Sequence, residues 1–416
     1  MATFLSSFKL SNFHTVNTMP KFFSCLIFFA CQSLLAQEII DFNVAVGNQA
    51  SIPMRIQLLK PLQPNKAYSL DNQKTHKIVP AQLLDSVTLV FMTEERMPVG
   101  NHSYLIIPGK KPQNSTPVKI EKKQNGLLVQ VKGKPVFFYH TKEAMPPPDS
   151  SAYYRRSGFI HPLYSPSGKI LTDDFPAGHA HQHAIFTAWT NTTFKKTSVD
   201  FWNQHSKKGT VEHMELLDII QGPVVSQIKT VLRHKSHEFG EVLREKWTLT
   251  IYPVNKHFLF DLESEQQNTT SDTLFLNAYH YGGLGFRGSR QWNAEDPKNF
   301  KSRWNILTSE GIRDSAANAS HARWVDAWGK LDDGIAGVTV FNHPANFRYP
   351  QAIRVHPSMP YWAFSPVVDG PFYIAPGAYY KSRFRYYVHD ERSSPEIIEG
   401  FYQSWETPSS PRVRGQ

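Results

Sequence analysis

The chain has 416 residues, a formal net charge of +10, two cysteines and 13% aromatic residues. Its basic residues are scattered, with short pairs such as Lys195-Lys196 and Lys207-Lys208, which speaks against the concentrated basic patch of a nucleic-acid-binding protein. No segment after residue 37 is long and apolar enough for a membrane-spanning helix, so no membrane span is expected there.

Residues 19–37, MPKFFSCLIFFACQSLLAQ, place Lys21 before a short apolar core and end on the small residue Ala36. That order describes a secretory signal peptide, with Met1 or Met19 as the start, and predicts an exported, periplasmic or extracellular protein. Lipoprotein anchoring at Cys31 is the lesser alternative, because Phe28 stands where such signals usually carry Leu. Cleavage after Ala36 removes Cys25 and Cys31, leaving neither a disulfide nor a thiolate metal site.

Strand signals then dominate. EIIDFNVAV, SIPMRIQLL, SVTLVFM and NHSYLIIPG predict a small β-sandwich over residues 37–117, closed by the linker-like KKPQNSTP. VKIEKKQNGLLVQVKGKPVFFYH predicts a hairpin turning at Asn125-Gly126. HAIFTAW, PVVSQIKTVLRH, VLREKWTLTIYP, HFLFDLESEQQ, TLFLNAYHY, IAGVTVFNH, AIRVHP and SRFRYYVHD continue the strands. SPEIIEGFYQSWE is the one short helix, and residues 406–416 read as a flexible tail. The fold class is all-β: the small sandwich, then a large antiparallel, supersandwich-like β-sandwich over 118–405.

The strongest chemical signal is DDFPAGHAHQHAIFTAW, residues 173–189. If extended, it points His179, His181 and His183 to one sheet face. Such a row suits one or two metal ligands or proton-transfer groups, and a divalent metal on His179, His181 and His183 is one possible cofactor. A polar sheet rim is the plainer alternative. Neighbouring stretches offer Tyr154, Arg156, His161, Asp200, Trp202, Asn203, His205 and His213. Arginine can grip a carboxylate or sulfate, and tryptophan can stack on a sugar ring.

YHYGGLGFRGSRQWN contains a GxGxxG match at Gly283, Gly285 and Gly288. No helix pattern follows it, so the dinucleotide reading is rejected; its glycines instead allow close approach of a ligand or a neighbouring strand, flanked by His280 and Arg287. HEFGE ends on Glu241 where a zinc motif needs His, and no GxSxG occurs. Late in the chain, His343 and His356 read first as caps of loop turns. The Asn-x-Ser/Thr triplets at Asn114, Asn191, Asn268 and Asn318 carry no meaning in a bacterial host.

RSGFIHPLYSPSGKILTDDFPAGHAHQHAIFTAW followed by DFWN resembles a family of exported bacterial proteins called PmoA-like, over about residues 130–392; GGLGFRG and the closing VHD are similar too. The methane-oxygenase chemistry in that name needs spanning helices, which this sequence lacks. The resemblance implies instead a setting of glycan use in polysaccharide degradation. The strand pattern also resembles the β-sandwich of galactose mutarotase and related sugar enzymes.

The residues together predict a carbohydrate-active hydrolase or lyase acting on an oligosaccharide or sugar acid by acid/base chemistry. His181 and His183 would move protons or hold metal, with His161 and His213 as partners and Tyr154 as a proton donor. Arg156 and Arg287 would hold an acidic group, with Trp202, His280 and Asn203 contacting substrate. A non-catalytic glycan-binding protein and a histidine-ligated metalloenzyme are the alternatives.

Overall fold

Strands form wherever β-branched and aromatic residues alternate with polar ones, and in a computed structural model they assemble into four antiparallel sheets. Described are residues 38–44, 51–64, 66–95, 97–109, 117–254, 256–406 and 412–415. The signal-peptide segment, most of the linker and part of the tail lie outside the described residues. The protein is all-β in the expected sense, with one α-helix, Pro395–Glu406, among the described residues.

Residues 38–108 form one continuous sheet around a core of its own that includes Ile40, Leu70, Leu89, Phe91 and Tyr104. Its strands hydrogen-bond in one continuous antiparallel order. Its seventh strand comes from the other end of the chain. Arg412–Gly415 pairs with residues 38–41, and Arg414 Nε bonds Asp41 Oδ2 at 2.6 Å. The polar composition of 406–416 suggested fraying, but an unpaired sheet edge accepts any strand-forming stretch that reaches it.

Two eight-stranded sheets build the larger sandwich. The first is assembled from strands between Val118 and Phe364; the second contains the long strands Gly209–Gln221, Ser226–Ser236, Gly240–Tyr252, Phe258–Asn268 and Tyr379–His389. Their inner faces share one apolar core, with Phe137 of the first sheet 5.0 Å from Phe260 of the second, ring to ring. The terminal helix lays Ile398, Phe401 and Tyr402 against Tyr252, Leu259, Phe341 and Tyr387.

The first hairpin turns one residue earlier than expected. Lys123 pairs with Gly126, so Gln124 and Asn125 form the loop. Gly126 is instead a strand residue where a Cβ would lie 2.0 Å from the Tyr139 carbonyl oxygen.

A four-stranded sheet of Thr197–Val199, Thr192–Phe194, Leu274–Leu276 and Phe372–Ile374 matters most for function. It anchors the loops around residues 200–208 and 277–282. Those loops and the histidine segment converge on one cavity.

Candidate functional site

The histidine segment is a loop, not a strand. Asp174 and His183 bridge at its neck, Gly178 turns it with φ +80°, and the strand begins only at Ile185. The shared face expected for three histidines therefore does not form. His179 and His181 go to the cavity, and His183 stays buried at the neck.

His183 has both ring nitrogens engaged. Nδ1 meets Asp174 Oδ1 at 2.7 Å and Nε2 meets Gln204 Oε1 at 2.8 Å. Gln204 is oriented by its Nε2 donating to the Arg155 carbonyl at 2.7 Å. Its Oε1 can only accept, so His183 Nε2 carries a proton. Burial pushes His183 well below the usual imidazole range and raises Asp174 to about 7. The pair thus shares one proton between Nδ1 and the carboxyl. With no nitrogen free, His183 is neither a metal ligand nor a group that reaches substrate; it pins the loop that presents its neighbours.

The cavity holds about 510 Å³ and is lined by His179, His181, His205, His280 and His356, by Trp202, Tyr279, Tyr281 and Tyr361, and by Asp200, Asn203, Lys208 and Arg354, among others. The imidazoles are close neighbours. The His181 ring lies 5.5 Å from His179 and 5.4 Å from His205, and His179 lies 5.5 Å from His356. Burial, then the nearby His179, His205, His183 and Arg287, holds His181 at about 3. Burial likewise lowers His179, and His356 to about 4. Nδ1 of His356 accepts from the Met359 and Ser358 amides at 3.2 and 3.3 Å, so its proton sits on Nε2. It caps a turn, as expected, and also lines the cavity.

Of the residues read from the sequence, the cavity gathers His179, His181, Asp200, Trp202, Asn203, His205, His280 and His356. Asn203 is itself positioned: it donates to Thr190 and Asp200 and accepts from the Tyr281 hydroxyl at 2.9 Å. His280 packs between Tyr279 and Tyr281.

The remaining expected residues lie elsewhere. His161 bonds Thr172 Oγ1 at 3.0 Å, and burial lowers it to about 3. His213 meets the Tyr139 hydroxyl and Thr230 Oγ1, each at 3.0 Å, away from the cavity lining. Tyr154 sits on a short helical turn with its ring against Tyr153. Arg156, expected to hold an acidic group of a substrate, is instead buried over the Phe186 ring, with Nη2 donating to the Thr187 carbonyl at 3.0 Å. Arg287 is buried one layer behind the wall and donates to Gln182 Oε1 at 2.9 Å. The cations that do line the cavity are Arg354 and Lys208. Among the described residues, no group of three or more His, Cys, Asp or Glu side chains is arranged to hold a metal ion.

Residues 126–403 match the family of unknown function DUF6807. The chain belongs to that family. The DUF6807 region contains every residue that lines the cavity and leaves the N-terminal sheet outside. No curated protein matches the chain. Among solved structures, it is similar to an alpha-mannosidase from Enterococcus faecalis at 12% identity and a TM-score of 0.38, covering 91% of this chain and 46% of that one. An alpha-galactosidase from Lactobacillus brevis gives 10% identity and a TM-score of 0.31, covering 86% and 42%. The chain thus spans less than half the length of either protein.

The glycine-rich strand of the DUF6807 region explains its rejected dinucleotide motif. A Cβ on Gly285 would lie 2.9 Å from Trp202 Cη2 and 2.9 Å from Phe186 Cε1. The glycine makes room for the rings that back the cavity. Gly285→Ala is expected to lower stability by about 1–3 kcal/mol through overpacking and to weaken ligand binding by displacing Trp202; thermal unfolding and titration calorimetry on the variant check both.

Acid should loosen the DUF6807 region. His161 and His181 are each held at about 3, against an ordinary 6.5. Between those values the unfolded chain binds protons that the fold refuses. Stability is therefore full above pH 6.5 and is lost as pH falls toward 3. Each contributes a loss of about 2 kcal/mol by about pH 5. The Asp174–His183 pair holds one proton folded and, near that pH, one unfolded, so it nearly cancels. A melting temperature that stays level from neutrality down to about pH 4.5 would contradict this.

Proposed function

We propose that this DUF6807 protein is an exported, carbohydrate-active protein whose cavity receives an oligosaccharide or sugar acid, with histidines as its acid/base groups. The observation that carries the reading is the run of neighbouring imidazoles His205, His181, His179 and His356 along one aromatic-walled cavity. Among the described residues His181 makes no hydrogen bond to a protein group, which leaves its nitrogens available to a ligand. Tyr279 and Tyr281, both partly exposed, offer ring faces and edges on which sugar C–H groups pack, with the buried Trp202 ring behind them. Export rests on the signal-like residues 19–37, and the glycan setting is what the PmoA-like resemblance over about residues 130–392 implies.

Asp200 supports the second reading, a glycan-binding protein without turnover. It lines the cavity, yet its carboxylate accepts from the Trp202 and Asn203 amides at 2.9 and 2.8 Å and from Asn203 Nδ2 and Thr190 Oγ1 at 2.8 and 3.1 Å. It is a loop-shaping group, not a free acid. A panel of acidic and neutral oligosaccharides, followed by calorimetry and by product analysis, tests both readings. Products support the first, saturable binding without products supports the second, and absence of binding across the panel overturns both.

A further inference from the structure

Resting on the carbohydrate reading above, we propose that the cavity selects a glycan bearing a carboxylate, and that it breaks a uronate linkage by β-elimination. The argument is an accounting of donors and acceptors. Trp202 Nε1 and the Tyr361 hydroxyl are buried within the cavity wall and have no hydrogen-bond partner among the described residues. A buried donor without a partner is costly, so these two groups gain most when a ligand oxygen presses into that wall. Arg354 spends one nitrogen on Asn318 Oδ1 at 3.0 Å, and Lys208 spends its ammonium on Ser198 Oγ at 3.1 Å; both remain charged at the cavity.

The lining carboxylate and two of the lining side-chain amide oxygens are already taken. All four near contacts of the Asp200 carboxylate are filled from within its own loop and Thr190, Asn203 Oδ1 accepts from Tyr281, and Gln182 Oε1 accepts from Arg287. A surface with spare donors, two cations and no spare carboxylate is complementary to an oxyanion. It also lacks the two carboxyl groups with which most glycosidases hydrolyse, because Asp200 is the sole acid among the described lining residues.

Elimination needs what the cavity has. Arg354 and Lys208 offset the charge of the uronate carboxylate, which acidifies the adjacent C5–H. His181 Nε2 or Nδ1 takes that proton, the C4–O bond breaks, a C4=C5 double bond forms, and the departing oxygen takes a proton from a water whose hydroxide then recovers the proton held by His181. No oxidant or reductant enters, and the two products together weigh what the substrate weighed. The bound carboxylate also favours the protonated imidazole and so strengthens His181 as a base.

The test incubates the full chain with polyuronates of the common hexuronic acids, with the same polymers after reduction of their carboxyls to alcohols, and with sulfated neutral oligosaccharides. Expected are products with the ultraviolet absorbance of a conjugated double bond and no added water in their mass, from polyuronates alone. Arg354→Gln should weaken polyuronate binding roughly tenfold or more while leaving any residual binding of the reduced polymer unchanged. Products that have gained water, equal use of the reduced polymer, or sulfated chains bound as tightly as uronates would overturn this inference and leave the carbohydrate reading standing. Failure to bind any of the three would overturn that reading as well.

Discussion

Glu245→Ala is expected to cost roughly 3–5 kcal/mol of stability. Glu245 is fully buried between the two large sheets. Its carboxylate accepts from Thr187 Oγ1 of the first sheet at 2.7 and 2.9 Å. From the second sheet it accepts from His234 Nε2 at 2.8 Å, Trp247 Nε1 at 2.7 Å, Gln266 Nε2 at 3.1 Å and the Ser264 hydroxyl. Burial alone would raise its pKa. The bonds from His234, Ser264 and Thr187, with the His234 charge, overcome that and hold it at about 2. Removing the acid strands five donors in a dry interior. Glu245→Gln keeps the volume and one acceptor, but turns an amide NH₂ toward donors, and should fall between alanine and the parent. Urea unfolding of the three proteins decides it. An alanine variant within 1 kcal/mol of the parent, a change ordinary at exposed sites, would mean that the network contributes little.

The same network limits what the sequence reveals of the site. Thr187 lies in the strand that follows the histidine loop and Trp189 just past its end, and Glu245 and Gln266 fasten them across the sandwich. The period-2 pattern that makes strands is a local property, so the long strands 226–236, 240–252, 258–268 and 379–389 are legible from residue order. TLFLNAYHY shows the limit: only Leu274–Leu276 is strand, and Tyr279 to Tyr281 leave the sheet to line the cavity. Long-range convergence leaves no such trace. Arg354 and His356 stand about 150 residues from the Asp200 loop, and nothing in their neighbourhood marks them as its companions.

Histidine spacing misled for a different reason. Alternate spacing implies a common face only in an extended chain, and Pro176 and Gly178 bend this one into a loop. Arg156 and Arg287 misled because arginine is usually exposed. Here both guanidiniums lie inside, one over Phe186 and one on Gln182. Density of chemical residue types did locate the cavity, since His179, His181, Trp202 and Asn203 all fall in the densest stretch.

His181→Ala is expected to lower glycan turnover by roughly a hundredfold to ten-thousandfold, the range for loss of a general acid/base group. Its ring stands between His179 and His205 at the centre of the imidazole run, lines the cavity, and has no hydrogen-bond partner among the described residues. His183→Ala provides the contrast. That ring touches no cavity space, so its loss should act through the loop: lower stability, and weaker binding and turnover together as His179 and His181 lose their placement. For His181→Ala, affinity measured by calorimetry should change by less than about tenfold while turnover collapses, because transition-state interactions and ground-state binding separate at an acid/base group. His205→Ala should do less than either, since that ring is exposed at the cavity mouth. If His181→Ala binds and turns over glycan like the parent, proton transfer belongs to another of the imidazoles. If it loses binding with no separate loss of turnover, the histidine run is a binding surface, and the protein holds glycans without cleaving them.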